Sequence, residues 1–188
     1  MHLSPLQRAL TALGLDKRRR ADRRVLEGLV FPWLLAQAHW HRVLFVGCAW
    51  YTQRYHGLFA NKDYWTLEAD PRAARHGAQQ HITGRLEQLP ALMAPESLDV
   101  IVCNGVVGWG LDAPEAVEAA VVACHTTLRR GGLLLLGWNE TVRRKGAVLT
   151  QAKALQRFTS LPCPPLGASV VHTGSINCHV FGFFEKRA

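Results

Sequence analysis

Two short segments of this chain have the residue types and the spacing of a nucleoside-binding site. The first, Arg42–Thr52 (RVLFVGCAWYT), runs from four apolar residues into the small residues Gly47, Cys48 and Ala49. The second is an apolar run that ends in Glu68, 21 residues after Gly47. In doubly wound α/β domains, a tight turn after one strand lets the backbone approach a ligand, and an acid after the next strand accepts hydrogen bonds from ribose hydroxyls. The two segments therefore predict a nucleoside cofactor.

Composition indicates one globular domain. The chain has 188 residues, of which 48% are apolar and 19% charged, values that are ordinary for a globular protein. It contains no apolar run of membrane-spanning length and no secretory-type start, so we expect a cytoplasmic protein with no membrane partner. Its five cysteines form no CxxC pair, which predicts reduced thiols and no metal site.

The net charge of +8 favours acidic partners, such as an acidic or phosphorylated small molecule or a nucleic acid. The positive charges cluster at Lys17–Arg24 and at Arg143–Lys145. Neither cluster contains the aromatic residues that stack on nucleic-acid bases, so solvated surfaces are favoured over a nucleic-acid groove. An oligomer is compatible with the sequence.

Apolar runs and turn residues predict alternating strands and helices, which is typical of a mostly parallel sheet covered on both faces. We expect an N-terminal helical segment over 1–41, packed on an α/β domain over 42–188. The predicted strands are 43–46, 64–67, 82–83, 98–103 and 133–136, followed by a hairpin of 169–172 and 179–185. The predicted helices are 1–15, 16–39 (kinked or ended by Pro32), 72–81, 113–128 and 146–158, with a turn at 129–132.

This order resembles the seven-stranded fold of class I S-adenosylmethionine-dependent methyltransferases. The resemblance is carried by VLFVGCAWYT, LEADP, ITGRLEQLP and the long stretch from SLDVIVCNG to LLLLGWNE. It implies a doubly wound, mostly parallel seven-stranded sheet with a C-terminal antiparallel hairpin, and S-adenosylmethionine as cofactor. The cofactor-binding positions that it implies are Gly47, Cys48, Ala49, Glu68, Arg85 and Asn104.

Four positions depart from the pattern of that family. Phe45 stands where the first motif has an acid, and Ala49 and Tyr51 replace its second and third glycines. The Tyr51 ring must leave the cofactor pocket or fill part of it. Arg85 stands where an acid would accept hydrogen from adenine, and a guanidinium cannot accept a hydrogen bond. Arg85 can instead stack on adenine, or Glu87 can replace the acid after a shift of the loop.

The candidate catalytic residues are Asn104, Trp109 and His81. Asn104 follows the fourth predicted strand, where its amide can position an amine or hydroxyl acceptor. Trp109 lies in the next loop and can stack on adenine or on the acceptor, and His81 is a candidate general base. Each has a structural alternative: a turn residue, a core aromatic and a structural histidine. His172 and His179 on the predicted hairpin make a weak metal pair, because no third ligand accompanies them.

Methyl transfer depends mainly on alignment of the acceptor with the methyl group, so it needs few catalytic side chains. The sequence predicts methyl transfer to a small polar, glycan-type or natural-product acceptor. Two alternatives stay open: a methyltransferase fold without catalysis that serves as a binding or scaffolding subunit, and an RNA methyltransferase or RNA-binding module.

Overall fold

The computed structural model of the chain describes residues 21–141, 144, 145, 149 and 151–187. The predicted helix over 1–15 lies outside the described residues. So do the first residues of the helix predicted over 16–39 and the basic residues Lys17–Arg20 and Arg143.

A single mostly parallel sheet carries the described part of the chain. Its strand order is β3-β2-β1-β4-β5-β9-β7, with β8 also paired to β9 and β6 to β5. Strands β1 to β5 are parallel, whereas β9 is antiparallel to β5. The strands are β1 (Arg42–Val46), β2 (Asp63–Glu68), β3 (Gln80–Thr83), β4 (Leu98–Asn104), β5 (Leu128–Thr141), β6 (Arg144–Lys145), β7 (Phe158–Ser160), β8 (Val170–His172) and β9 (His179–Lys186).

Strands β7 and β8 pair with different parts of β9. They therefore share one position in the sheet, beside β9. The predicted fold, a doubly wound and mostly parallel sheet closed by an antiparallel C-terminal hairpin, is confirmed. The α-helices are α1 (Ala21–Val25), α2 (Phe31–Ala36), α3 (Tyr55–Leu58), α4 (Leu89–Leu92) and α5 (Pro114–Thr127).

Alternate residues of the central strands face two different apolar layers, as the period of a strand requires. On β1, Leu44 and Val46 pack in the layer that holds α5. Val43 and Phe45 pack in the other layer, with Phe31 and other side chains of the N-terminal helices. Because both faces are covered, the strands read as continuous apolar runs, which is why the sequence reveals them.

The helix predicted over 72–81 is wrong. A 3₁₀-helix spans Pro71–His76, and β3 begins at Gln80. A Cβ on Gly77 would lie 2.3 Å from Nδ1 of His81 and 3.0 Å from the carbonyl oxygen of Ala74. The chain therefore turns at Gly77, which lets the following residues pair with β2 instead of continuing a helix.

The helix predicted over 146–158 is also wrong over its last residues, 151–158. A 3₁₀-helix spans Lys153–Arg157, and Phe158 begins strand β7. The backbone N–H of Ala154 donates to the Glu118 carboxylate, 3.0 Å away, and Phe158 pairs with Lys186 of β9. Tertiary contacts thus override the helical pattern of the sequence.

The turn predicted over 129–132 lies within β5, where the pairing with β4 changes register between Leu98 and Val100. Gly131 has φ +70°, a conformation that suits glycine. The predicted Leu133–Leu136 strand is therefore the centre of a longer strand.

Pro32 does not end the N-terminal helical segment. It lies directly after a break in the regular α-helix. A π-helical turn, Leu26–Val30, separates α1 from α2, and Pro32 occupies the first turn of α2. Proline has no backbone N–H to donate to the carbonyl group four residues earlier. In the π-helical turn before Pro32, the N–H of Phe31 donates to the carbonyl of Leu26, five residues earlier instead of four. Within the described residues, no helix has the length and apolar character needed to cross a membrane.

Asp99 joins the starts of three strands, at the end of the sheet opposite the carboxyl-terminal strand ends. Its Oδ2 accepts from the backbone N–H groups of His41 (2.8 Å) and Arg42 (2.7 Å), and its Oδ1 accepts from the Arg129 guanidinium. Burial alone would raise the pKa of the Asp99 carboxyl. These donors outweigh burial, so the pKa lies below its ordinary value of 3.8.

We expect Asp99→Asn to lower the free energy of unfolding by about 1–3 kcal/mol, because it weakens charge-assisted bonds to three donors. Urea denaturation at pH 7 measures the loss, with Glu115→Gln, an exposed acid on α5, as the control. A lowered carboxyl pKa stabilises the fold above 3.8 and loses that effect as the pH falls through the folded-state pKa. The difference between wild type and variant must therefore shrink in acid; a constant difference contradicts this role.

Candidate cofactor and acceptor site

The candidate site is a cavity of about 400 Å³, a size typical of small-molecule sites. It lies at the carboxyl ends of β1, β2, β4 and β5, where ligands bind in folds of this class. Among the residues predicted from the sequence, those that line it are Gly47, Cys48, Ala49, Glu68, Arg85, Asn104 and Trp109. His81 is not among the lining residues.

Gly47 allows the first loop to turn at the floor of the cavity. Its φ is +92°, and a Cβ there would lie 3.3 Å from the side chain of Val106. Its N–H donates to the carbonyl of Leu67 at 2.9 Å, which fastens the loop to β2. A side chain at this position would meet both backbone strain and a neighbouring side chain.

Glu68 holds the first loop to the end of β2. Its Oε2 accepts from the N–H of Cys48 at 2.7 Å, and its Oε1 accepts from the N–H of Asp70 at 2.9 Å. A carboxylate has about four acceptor positions, so Glu68 retains capacity for further donors. The helix-capping role is taken by Asp70, whose side chain accepts from the N–H of Arg72. The Glu68 carboxylate therefore fits a ribose diol on the cavity side.

The rest of the loop turns without glycine. The hydroxyl of Thr52 accepts from the N–H of Ala49 at 3.0 Å and donates to its carbonyl at 2.8 Å. The Tyr51 side chain is 39% exposed and lies under Arg23, whose guanidinium carbon is 3.8 Å from the ring centroid. Tyr51 thus forms part of the wall and leaves the cavity open. Trp50 is 75% exposed and does not line the cavity.

Phe45 belongs mainly to the apolar layer beneath the site. It is 2% exposed and packs edge to face on Tyr55, with ring centroids 5.3 Å apart. The carboxylate nearest to Tyr55 comes from the N-terminal helices, because the Tyr55 hydroxyl donates to Oε1 of Glu27 at 2.7 Å. An acid from the N-terminal helices, Glu27, therefore lies beside Tyr55, although strand β1 has no acid at Phe45.

Arg85 and Glu87 form an ion pair on the cavity wall beyond β3. Arg85 Nε donates to Glu87 Oε1 at 2.9 Å, and both residues line the cavity. Glu87 therefore lies on the same cavity wall as Arg85. The pair offers one cation for stacking and one carboxylate that can accept further hydrogen bonds from an adenine amine.

The burial of Cys48 argues against a reactive thiol. Burial raises the pKa of the Cys48 thiol to about 11, although a hydrogen bond with Thr66 acts in the opposite direction. The thiol therefore stays protonated at neutral pH, and the contribution of Cys48 to the loop comes from its backbone N–H.

A histidine that sequence reasoning treated only as a weak metal ligand lies in the half of the cavity formed by β4, β5 and β9. His179 is 4% exposed. Its Nε2 is 2.9 Å from Oδ1 of Asn104, and its Nδ1 is 2.7 Å from Oδ1 of Asn139. The three residues stand at the ends of β4 and β5 and at the start of β9, and all three line the cavity. We call them the amide–histidine network.

Gly137 makes room for the amide–histidine network. A Cβ on Gly137 would lie 2.0 Å from Oδ1 of Asn104 and 2.9 Å from Nε2 of His179. Neither distance is sterically allowed, so the network needs a glycine below it on β5.

Burial lowers the pKa of His179, and the carboxylate of Asp22 acts in the opposite direction. The neutral ring has one N–H donor and one acceptor nitrogen. One of the two amides must then turn its amino group toward the ring, whereas the protonated ring can donate to both carbonyl oxygens. The orientation of Asn104 is thus linked to the charge of His179.

His81 lies on β3, outside the cavity lining. Its Nδ1 is 2.9 Å from the hydroxyl of Thr66, and its Nε2 is 3.4 Å from that of Thr83. Burial lowers its pKa. These contacts match the structural alternative for His81, and the structure does not bring it to the acceptor.

Trp109 is 60% exposed, at the mouth of the cavity between Gly108 (φ +83°) and Gly110 (φ +116°). Trp138, next to Asn139 on β5, packs in the core. Among the described residues, no group of three or more histidine, cysteine, aspartate or glutamate side chains is placed to hold a metal ion.

Substitution of Gly137 by alanine tests the amide–histidine network. We expect Gly137→Ala to lower the free energy of unfolding by about 1–3 kcal/mol, as overpacking does, and to shift the ring signals of His179. Urea denaturation and histidine ring NMR measure the two effects. Gly57→Ala on α3, where a Cβ meets nothing within 4 Å, is the matched control. Equal stability of the two variants would show that the network tolerates a methyl group.

The lowered pKa of His179 predicts loss of stability in mild acid. Its folded-state pKa lies below the ordinary value of 6.5, so the neutral ring stabilises the fold above pH 6.5. This effect is lost as the pH falls from 6.5 through the folded-state pKa, with a slope of at most about 1.4 kcal/mol per pH unit.

Denaturation of wild type and His179→Gln between pH 7.5 and 5 measures that slope, with the exposed His39→Gln as control. His81 and His125, whose pKa values burial also lowers, contribute the same background slope to all three proteins. We expect a shallower slope in His179→Gln alone. A slope equal to that of wild type would contradict the pKa assignment.

No protein-family model matches the sequence, and no curated protein matches it significantly. Solved structures do match its fold. The N-methyltransferase NodS from Bradyrhizobium japonicum is 18% identical, with a TM-score of 0.66, over 92% of this chain and 99% of that chain. Its complex with S-adenosylhomocysteine matches with a TM-score of 0.65 at 19% identity, over 93% and 91% of the two chains.

Two further structures show how widely the fold is used. The 1,6-didemethyltoxoflavin-N1-methyltransferase of Burkholderia thailandensis is 14% identical, with a TM-score of 0.52, over 100% of this chain and 92% of that chain. A 16S rRNA methyltransferase of Thermus thermophilus is 19% identical, with a TM-score of 0.55, over 90% and 40% of the two chains. These neighbours act on acceptors as different as a small molecule and ribosomal RNA. The chain thus has the fold of class I S-adenosylmethionine-dependent methyltransferases.

Proposed function

We propose that this protein binds S-adenosylmethionine and transfers its methyl group to a small polar acceptor. The observation that carries the proposal is the open cavity above Gly47, with the Glu68 carboxylate on its wall. Glu68 stands where the ribose acid stands in this fold, and it retains acceptor capacity after its bonds to Cys48 and Asp70. Structural neighbours with S-adenosylhomocysteine bound support the choice of cofactor.

Each group of residues has a distinct part in this proposal. Gly47, Cys48 and Ala49 bring the backbone close to the ligand, and Glu68 accepts from the ribose hydroxyls. Arg85 stacks on adenine, and the Glu87 carboxylate accepts a hydrogen bond from the adenine amine. When bound, S-adenosylmethionine supplies a methyl group on a positively charged sulfur, which is a good leaving group.

On the acceptor side, Asn104 orients the incoming nucleophile, and His179 and Asn139 hold Asn104 in place. Tyr51 and Trp109 lie over the cavity and limit the access of water. Alignment of this kind supplies most of the catalysis that methyl transfer requires.

The main alternative is a methyltransferase fold that serves as a binding or scaffolding subunit without a cofactor. Phe45, Tyr51 and Arg85 are the residues that favour it. The position of Tyr51 beneath Arg23, with about 400 Å³ of cavity left open, supports cofactor binding instead.

An RNA methyltransferase or RNA-binding module is the second alternative, favoured by the rRNA methyltransferase among the structural neighbours. Most of its sequence support lies in Lys17–Arg20 and Arg143, outside the described residues. It predicts an RNA affinity that falls steeply with salt.

Titration calorimetry with S-adenosylhomocysteine tests the proposal, and Glu68→Gln identifies the site. We expect wild-type protein to bind, and the variant to bind about 10–100-fold more weakly, because a neutral amide replaces a charged acceptor. Glutamine keeps one oxygen for the N–H of Cys48, so the loop is retained. Glu115→Gln should bind as wild type does. No binding to wild type at millimolar ligand would exclude the proposal and favour the scaffolding alternative.

A further inference from the structure

Asp22 carries a buried carboxylate oxygen that none of the described residues satisfies. Helix α1 places Asp22 on the cavity wall, and its Oδ1 is buried with no hydrogen-bond partner in the described part of the chain. Burial of an unpaired carboxylate oxygen is unfavourable. An atom of this kind on the wall of an open cavity indicates that a ligand supplies the missing donor.

Asp22 belongs to the half of the cavity remote from Glu68. Its carboxylate acts electrostatically on His179, and His179 contacts Asn104 and Asn139. These residues stand on β4, β5 and β9, whereas Glu68 ends β2, on the other side of β1 in the sheet order. Asp22 thus lies on the acceptor side of the proposed site.

The chemistry of this half of the cavity suits a cation. It presents the carboxylate of Asp22 and the amides of Asn104, Asn139 and Asn177. The guanidinium of Arg23 also lines the cavity, but it lies over the ring of Tyr51. An anion here would meet the negative charge of Asp22, whereas an ammonium group has only donors to offer, which carboxylate and amide oxygens accept.

We propose that Asp22 and the amide–histidine network form a subsite for the amine of the methyl acceptor, which binds as an ammonium group. The amine passes one proton to the Asp22 carboxylate and then attacks the methyl carbon with its lone pair, while the carbon–sulfur bond breaks and the sulfur keeps the bonding electrons. This inference rests on the proposed function and deepens it. The protein is accordingly an amine methyltransferase, in contrast to the phosphorylated substrate that the net charge of the chain favours. The α-ammonium of the cofactor is a second group with the chemistry to occupy this subsite, and a comparison of two nucleosides separates the two cases.

The test compares two nucleosides that differ in one cationic group. Sinefungin resembles S-adenosylhomocysteine but carries a primary amine where S-adenosylmethionine has its transferable methyl group. Calorimetry measures the affinity of both for wild type, Asp22→Asn, Asp22→Glu and the charge-matched control Glu115→Gln. We expect wild type and control to bind sinefungin at least 10-fold more tightly than S-adenosylhomocysteine.

The Asp22→Asn variant should lose this preference, while its affinity for S-adenosylhomocysteine stays within about 2-fold of wild type. The Asp22→Glu variant should regain part of the preference. If Asp22→Asn weakens both ligands equally and spares methylthioadenosine, which lacks the amino-acid part, the subsite serves the cofactor's ammonium and the acceptor assignment is overturned. If no affinity changes, the subsite itself is overturned.

Binding of none of these nucleosides to wild type would remove the proposed function, and the inference with it. That result differs from normal binding with an unaffected Asp22→Asn variant, in which only the inference fails.

Histidine ring NMR on the cofactor-free protein gives a readout independent of the nucleosides. The charge of Asp22 raises the pKa of His179 against the effect of burial, so Asp22→Asn must lower that pKa, while Glu115→Gln leaves it unchanged. The backbone spectra of the variants show whether the fold is intact. An unchanged His179 pKa in a folded Asp22→Asn variant would contradict the placement of the carboxylate beside the network.

Discussion

The Glu68 carboxylate accepts hydrogen bonds from two backbone N–H groups, and the geometry of the candidate site depends on these two bonds. The N–H of Cys48 comes from the loop after β1, and that of Asp70 from the turn after β2. One charged side chain therefore fixes the relative positions of two strand ends. The Glu68 carboxylate thus acts as a clamp between the two loops. Here the clamp, the positive φ of Gly47 and the Thr52 hydroxyl together hold a loop that contains Tyr51.

The acceptor side is held by a different device, hydrogen bonds between side chains on three strands. Asn104, Asn139 and His179 come together because β5 lies between β4 and β9, and because Gly137 leaves the space above β5 empty. Such a network is rigid only when each group has a partner. The charge of His179 decides which amide atoms can pair with its ring. Protonation of His179 therefore changes both the hydrogen bonds of the cavity wall and the free energy of unfolding.

The part of this structure that could be predicted from sequence is the part with local signals. Strands β1, β2 and β4 are buried on both faces and read as apolar runs, and Gly47 and Glu68 follow them directly. The helix predicted over 72–81 failed because Gly77 and the pairing of β3 with β2 outweigh a local pattern. His179 is 75 residues from Asn104, so no local signal joins them. His179 pairs with Asn139 across β5 and β9, a pairing that the predicted hairpin of 169–172 and 179–185 did not include.

The N-terminal helices explain why Phe45 can stand where the family pattern has an acid. An acid at position 45 would lie in an apolar layer with Tyr55 and Phe31, where an unpaired charge is unfavourable. Phe45 fills that layer instead, and the helices above it supply the acids: Glu27 accepts from Tyr55, and Asp22 reaches the cavity. Asp22 on helix α1 therefore places its negative charge in the half of the cavity that holds Asn104 and His179. In the proposed function, the ribose of the cofactor binds at Glu68, which ends β2, and the acceptor binds near Asp22, which the N-terminal helices bring to the cavity.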